Sequence, residues 1–218
     1  MMKIAVIGAT GLVGNATVLE FAARGHQVTA FARNVAKVAQ HPNVTAVAAD
    51  VNASDFASKL AGFDAVVSAF NAGWDNPNLA QDVKTGYDNL LAAFKTANLP
   101  YYLIVGGAGS LNVAPNVQLV DTPDFPADVY PAANALRVLL NDLRSRRDIN
   151  WAFLSPAVMF AVAPVSFDKK GAYRIGQDDA LFNADGSPAD ITVPDLAAAI
   201  ADDVEQKAHL FQRFTVAN

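Results

Sequence analysis

Three glycines, Gly8, Gly11 and Gly14, punctuate the junction between a short apolar run, Ile4 to Ile7, and a helix-compatible stretch that begins at Asn15. Glycine suits such a junction for three separate reasons. One makes the tight strand-to-helix turn, one lets a pyrophosphate approach the backbone, and one lets the helix pack closely on the strand. The free N–H groups and the dipole of a helix N-terminus then hold the anion, which places the turn from Gly8 to Gly14 against a diphosphate. The spacing is G-x-x-G-x-x-G rather than the common G-x-G-x-x-G. Context supplies the rest, because a strand pattern precedes it, a helix pattern follows, and a second strand pattern comes at residues 27–32. A glycine turn with no ligand is the alternative that this context argues against.

The residue closing the second strand reads the adenosine ribose in such a unit. An acidic residue there accepts from the ribose hydroxyls and selects NAD, whereas an arginine accommodates a 2′-phosphate. Here the strand ends at Arg33-Asn34, no acidic residue stands between Glu20 and Asp50, and Lys37 follows. A guanidinium offers planar, charge-assisted donors to phosphate oxygens. The pattern therefore predicts NADP(H) over NAD(H). A solvated surface charge is the plainer account of Arg33. Asp50-Val51 after the third strand could border the adenine, and Asp50 could equally be a cap or turn residue. Ala69-Phe70 after the fourth strand lie where small residues let the chain pass close to a cofactor.

Other constellations offer less. With no cysteine, thiolate metal sites, disulfides and a thiol nucleophile are excluded. His26, His41 and His209 are too scattered for a metal pair, so no metal site is expected. There is no G-x-S-x-G elbow to support serine hydrolysis. The Arg144-Ser145-Arg146-Arg147 run fits the last turn of a helix, where cations complement the dipole. Lys169-Lys170 before Gly171 reads as an exposed turn that could also steer an anionic substrate.

Positioning these residues needs an α/β framework, and the composition allows one. The 218 residues are 52% hydrophobic and 17% charged, enough for a well-buried core in a single domain over residues 1–218. A net charge of −5 leaves no electrostatic footprint for nucleic acid. No run reaches the roughly 18 uninterrupted apolar residues of a membrane helix, and the first apolar run is needed as a strand. A cytoplasmic protein is expected, with nothing fixing its oligomeric state. Strand patterns fall at residues 3–7, 27–32, 44–48, 65–69, 101–105 and 151–154. Helix patterns fall at residues 12–24, 35–39, 54–60, 79–97, 131–146 and 194–208. Alternation of this kind predicts a Rossmann-type doubly wound parallel sheet with helices on both faces. The irregular segments 106–130 and 160–188 follow strand ends and are the expected walls of the substrate crevice.

With these residues assembled, the chain resembles the atypical short-chain dehydrogenase/reductase group, and within it the NADH-flavin reductase and biliverdin reductase B (flavin reductase) type. The resemblance runs along nearly the whole chain. It rests on Gly8 to Gly14, Val105-Gly106-Gly107-Ala108-Gly109-Ser110-Leu111, Leu119-Val120-Asp121-Thr122-Pro123-Asp124-Phe125-Pro126, Leu154-Ser155-Pro156-Ala157 and Ile191 to Ala197. It implies that Thr10 to Val13 meet the pyrophosphate, that Gly106 and Gly107 lie beside the nicotinamide, and that Ser155, Pro156 and Ala157 close over it.

The wider superfamily uses a serine with Tyr-x-x-x-Lys, the lysine lowering the tyrosine's pKa. Ser110 and Tyr130 are nominally in place, but Asn134 stands where the lysine would be. A neutral amide does not lower a phenol's pKa as an ammonium does, and a phenol near pKa ~10 is a poor proton shuttle at neutral pH. Prolines and turn formers around both residues favour structural roles for them. Flavin reduction tolerates that loss, since the acceptor takes hydride directly and water supplies the proton. The protein then needs only to hold two planar rings in contact, and Phe70, Trp74, Phe125, Tyr130 and Phe160 are aromatics in the expected crevice loops. Two functions follow: NADPH-dependent hydride transfer to a flavin or quinone-like small-molecule acceptor, and an NADP(H)-sensing binding protein without turnover.

Overall fold

Each apolar run read as a strand enters one sheet in the computed structural model, which describes residues 1–73, 75–162 and 164–218. The strands are β1 (Lys3–Ile7), β2 (Gln27–Ala32), β3 (Val44–Ala48), β4 (Ala65–Ser68), β5 (Tyr102–Val105), β6 (Asn112–Ala114), β7 (Val117–Gln118), β8 (Trp151–Pro156), β9 (Arg174–Gly176) and β10 (Gln212–Ala217). The helices are α1 (Leu12–Ala23), α2 (Leu79–Ala97), α3 (Tyr130–Ser145) and α4 (Val193–Gln206). Eight strands form the main sheet in the order β3-β2-β1-β4-β5-β8-β10-β9, and β6 with β7 makes a separate hairpin. All neighbours in the sheet are parallel except β9, which runs antiparallel to β10. The fold is thus a Rossmann-like α/β sheet. The chain runs outward from β1 to β3, then returns to β4 and continues the other way, so the crevice opens between the ends of β1 and β4.

Alternate residues of each strand feed two cores, which is why the runs are almost wholly apolar rather than alternating. Ile4, Val6, Val28, Val67, Leu103, Leu154 and Phe214 pack under α1 and α4. Ala5, Ile7, Val66, Ile104, Trp151 and Phe153 pack under α2 and α3. No helix among the described residues is long and apolar enough to cross a membrane.

Several boundaries differ from expectation. The helices expected at residues 35–39 and 54–60 are only 3-10 turns, Val35–Lys37 and Phe56–Leu60. In the first of these segments Pro42 blocks continuation of a helix. Tyr130 opens α3 rather than preceding it, with Pro131 in the first turn where its missing N–H costs nothing. The largest omission is β10. Gln212-Arg-Phe-Thr-Val-Ala carries a period-2 pattern that a single inward arginine interrupts.

Candidate functional site

The first strand–helix junction divides its glycines as chemistry requires. Gly8 takes φ +75°, the left-handed region, and a Cβ there would stand 2.4 Å from the Ala69 carbonyl oxygen at the end of β4. Gly14 lies one turn into α1, where a Cβ would come within 2.1 Å of the Gly8 carbonyl oxygen. Between them, the Gly11 N–H donates to the Gly8 carbonyl at 3.0 Å, and Gly11 begins the helix. Among the described residues no side chain caps α1, and its first turn holds no acidic group. Amides of a first turn have no partner within their helix, and Thr10, Gly11 and Leu12 are exposed, so this N-terminus faces open surface. Asn15 Oδ1, one turn in, is buried without a partner among the described residues, a state that a bound hydroxyl or water would relieve. Glycine cradle, uncapped helix and orphaned acceptor together fit the diphosphate end of a dinucleotide.

Arg33 and Asn34 leave β2 exposed, beside exposed Lys37. Asn34 is occupied locally, its Oδ1 accepting from the Ala36 N–H at 3.1 Å, which leaves Arg33 and Lys37 as the cations at that corner. Asp50 is exposed and accepts from the Asn52 N–H at 2.9 Å, with Val51 buried beneath. Ala69 lines the junction through its backbone. The Phe70 ring packs against Tyr87 of α2 at 5.6 Å between centroids, over the space that Gly86 leaves. Trp74 lies outside the described residues.

On the other side of the switch point, Gly106 and Gly107 continue β5 half-buried. The Gly106 N–H donates to the Leu154 carbonyl at 2.8 Å, and a Cβ on Gly107 would touch Leu136 of α3. Ser155, Pro156 and Ala157 end β8 and are all buried. The Ser155 hydroxyl accepts from Arg213 Nη1 at 3.3 Å.

Ser110 and Tyr130 occupy different environments. Ser110 is 3% exposed, and its carbonyl oxygen receives Arg213 Nη2 at 3.4 Å. Tyr130 is 40% exposed on the rim of a hollow of about 400 Å³ shared with Val120, Asp121, Thr122, Phe125 and Ala127. Asn134 accepts from Arg137 Nε at 3.0 Å and Nη2 at 2.7 Å. Arg137 also donates to Asp121 at 2.7 Å, so a cation stands on this face of α3 with its charge already matched. The nominal set gains no free positive charge to activate the phenol.

Sequence reasoning missed what joins the two irregular segments. The Asn112 N–H donates to the Asp178 carbonyl at 2.9 Å, the Ala180 N–H returns to the Asn112 carbonyl at 2.8 Å, and Asn112 Nδ2 reaches Asp179 at 3.1 Å. Arg213 of β10 lies below with only 2% of its side chain exposed. It donates to the Asp178 carboxylate at 2.5 and 2.9 Å and to the Asp178 carbonyl at 3.0 Å. Burial pulls the Arg213 pKa down from its ordinary value while Asp178 opposes that pull. Burial acts to raise the Asp178 carboxyl, but Arg213 and Arg144 outweigh it and hold the pKa low. A second clasp is Asp195, wholly buried at the start of α4. It accepts from the amides of Lys170 and Gly171, each at 2.9 Å, from the Thr192 hydroxyl at 2.7 Å and from Asn218 Nδ2 at 2.9 Å. An arginine at an inward position of a strand was the available signal for the first clasp, because a buried charge requires a partner.

Comparison with known proteins agrees with this geometry. A family described as NAD(P)H-binding matches residues 8–207. The uncharacterized protein YwnB of Bacillus subtilis (strain 168) is 40% identical over 217 residues, covering 99% of this chain and 98% of its own. The crystal structure of SP1627 from Streptococcus pneumoniae TIGR4, provisionally named an NADH-flavin reductase, superposes with TM-score 0.87 at 32% identity and covers 100% of both chains. A provisionally named epimerase from Bacteroides thetaiotaomicron superposes with TM-score 0.87 at 35% identity, over 99% of this chain and 96% of that one.

Proposed function

The chain belongs to the NAD(P)H-binding family, and from that premise we propose that it is an NADPH-dependent oxidoreductase passing hydride to a flavin or similar planar, quinone-like acceptor. The observation that carries this reading is the pairing of two features on adjacent elements. An uncapped, acid-free helix N-terminus stands at the switch point, and exposed Arg33 stands at the end of β2 with no acidic neighbour in residues 21–49. The first holds a diphosphate through backbone amides. The second grips a 2′-phosphate through a planar donor fork.

Bound NADPH supplies the hydride, and the proton that completes a two-electron reduction comes from solvent. The protein's share is then binding and alignment. Gly106 and Gly107 would lie beside the nicotinamide end, Ser155 to Ala157 would close over it, and segments 106–130 and 160–188 would wall the acceptor. Phe125 and Tyr130 give one wall an aromatic lining. With Arg137 bound to both Asn134 and Asp121, neither Ser110 nor Tyr130 is assigned proton transfer. A cytoplasmic location suits a reaction of this kind.

Two measurements test the proposal. NADPH and NADH affinities are compared in wild type and Arg33→Ala. Charge-assisted hydrogen bonds contribute about 1.5–3 kcal/mol, so NADPH binding weakens roughly 10- to 100-fold in the variant while NADH binding does not change. Equal preference in both proteins overturns the 2′-phosphate assignment. NADPH oxidation is then followed with FMN, FAD and a quinone. Tight binding without turnover on any acceptor replaces the enzyme with an NADP(H)-sensing protein, the reading that the missing lysine also allows.

A further inference from the structure

We propose that Arg213 is the positioning residue of the acceptor crevice, holding the Ser110 loop and the end of β8 in one fixed relation beside the nicotinamide end of the cofactor. The inference rests on the oxidoreductase reading above and adds to it a residue from the last strand that lies in none of the sequence motifs.

The geometry is specific. From one buried guanidinium, Nη1 donates to the Ser155 hydroxyl on β8, Nη2 to the Ser110 carbonyl after β5, and Nε and Nη2 to Asp178 in the second wall. Ser155 and Thr215 are register partners in the sheet, so Arg213 and Thr215 lie on the same face of β10 as the Ser155 hydroxyl. That face is the one under α2 and α3, where Phe153 and Trp151 pack. Beyond α3 it is covered by loops instead of a helix. Bare loops over a sheet have no packing register of their own, and a five-donor planar fork supplies one. Burial makes the fork exacting, because each partner it loses is left unsatisfied out of water.

A lysine keeps the charge and occupies most of the volume but has a single nitrogen, which does not reach Ser155, Ser110 and Asp178 together. Arg213→Lys is therefore the informative variant, with Ser155→Ala as a milder one that deletes a single partner of the fork. Both are first checked for wild-type folding by circular dichroism and thermal melting. NADPH affinity, the emission of bound NADPH, and kcat and KM for the acceptor are then measured.

If Arg213 positions the crevice, Arg213→Lys binds NADPH within about threefold of wild type, since the diphosphate and 2′-phosphate contacts lie elsewhere. Its kcat falls at least tenfold, and the emission of bound NADPH shifts toward that of free NADPH. Ser155→Ala shows the same pattern at smaller amplitude without a lower melting temperature. Unchanged kcat and emission in Arg213→Lys overturn the inference, as does a loss of turnover matched by an equal loss of NADPH affinity. Should Arg213→Lys fail to fold, Ser155→Ala decides alone: unchanged turnover and emission overturn the assignment. Wild-type protein that binds NADPH but reduces no acceptor defeats the oxidoreductase reading instead, and emission then still tests the positioning role.

Discussion

The two halves of the crevice are built by different means. The half proposed to hold the nucleotide, β1 through β2, rests mostly on backbone, with glycine geometry at Gly8 and Gly14 and an uncapped helix start, joined by one exposed arginine. Those groups lie within residues 8–33. The half proposed to receive the acceptor is made of side chains brought from distant parts of the chain. Arg213 joins β10 to residues 110, 155 and 178, and Asp195 joins α4 to residues 170, 171 and 218. A diphosphate has the same shape in every dinucleotide, so a local backbone motif suffices to hold it. An acceptor wall must be shaped individually, and its loops need long-range clasps to hold any shape.

The comparison breaks most readily at Gly14. A methyl in Gly14→Ala would stand 2.1 Å from a backbone carbonyl that has nowhere to move. The cost is about 3 kcal/mol or more, and NADPH binding measured by calorimetry falls at least 100-fold. A variant that binds normally would mean that the cradle is not the diphosphate site.

The acceptor half responds differently. Asp195→Asn leaves four donors facing a weaker, half-donor amide, and thermal or urea unfolding shows a loss of about 2–3 kcal/mol. NADPH affinity stays within threefold, while KM for the acceptor rises as the segment around Lys170 and Gly171 loosens. Equal damage to both ligands would erase the distinction between the halves.

Acid titration sharpens the contrast next. Burial acts to raise the pKa values of Asp178 and Asp195, but their hydrogen bonds outweigh it and bring both below the ordinary 3.8. A depressed folded-state pKa contributes stability that is complete above the unfolded value and lost as pH falls through the folded one. Melting temperature therefore owes no change to these groups between pH 5 and 8 and declines below about pH 4. Proteolysis or hydrogen exchange in that acid range should open residues 168–180 before residues 3–32. The smallest effect is expected from Tyr130→Phe, which keeps the ring and removes the phenol. Turnover changes by less than about threefold, and a loss of 100-fold would restore Tyr130 as a proton donor.

The sequence by itself determined the sheet's central strands, the Rossmann-like class and the glycine cradle, because these follow from local periodicity and from the steric needs of a single turn. It determined the corner at Arg33 for the same reason, the strand end and its charge being neighbours in the chain. It did not reveal that the Phe70 ring faces α2, that Asp50 accepts from the Asn52 N–H, or that the last residues form β10. Only the tertiary structure decided those, along with the meeting of Arg213, Ser110, Ser155 and Asp178. Contacts between residues 58 and 103 positions apart leave no trace in a periodic pattern. They exist because a folded sheet places strand ends side by side whatever their order in the chain.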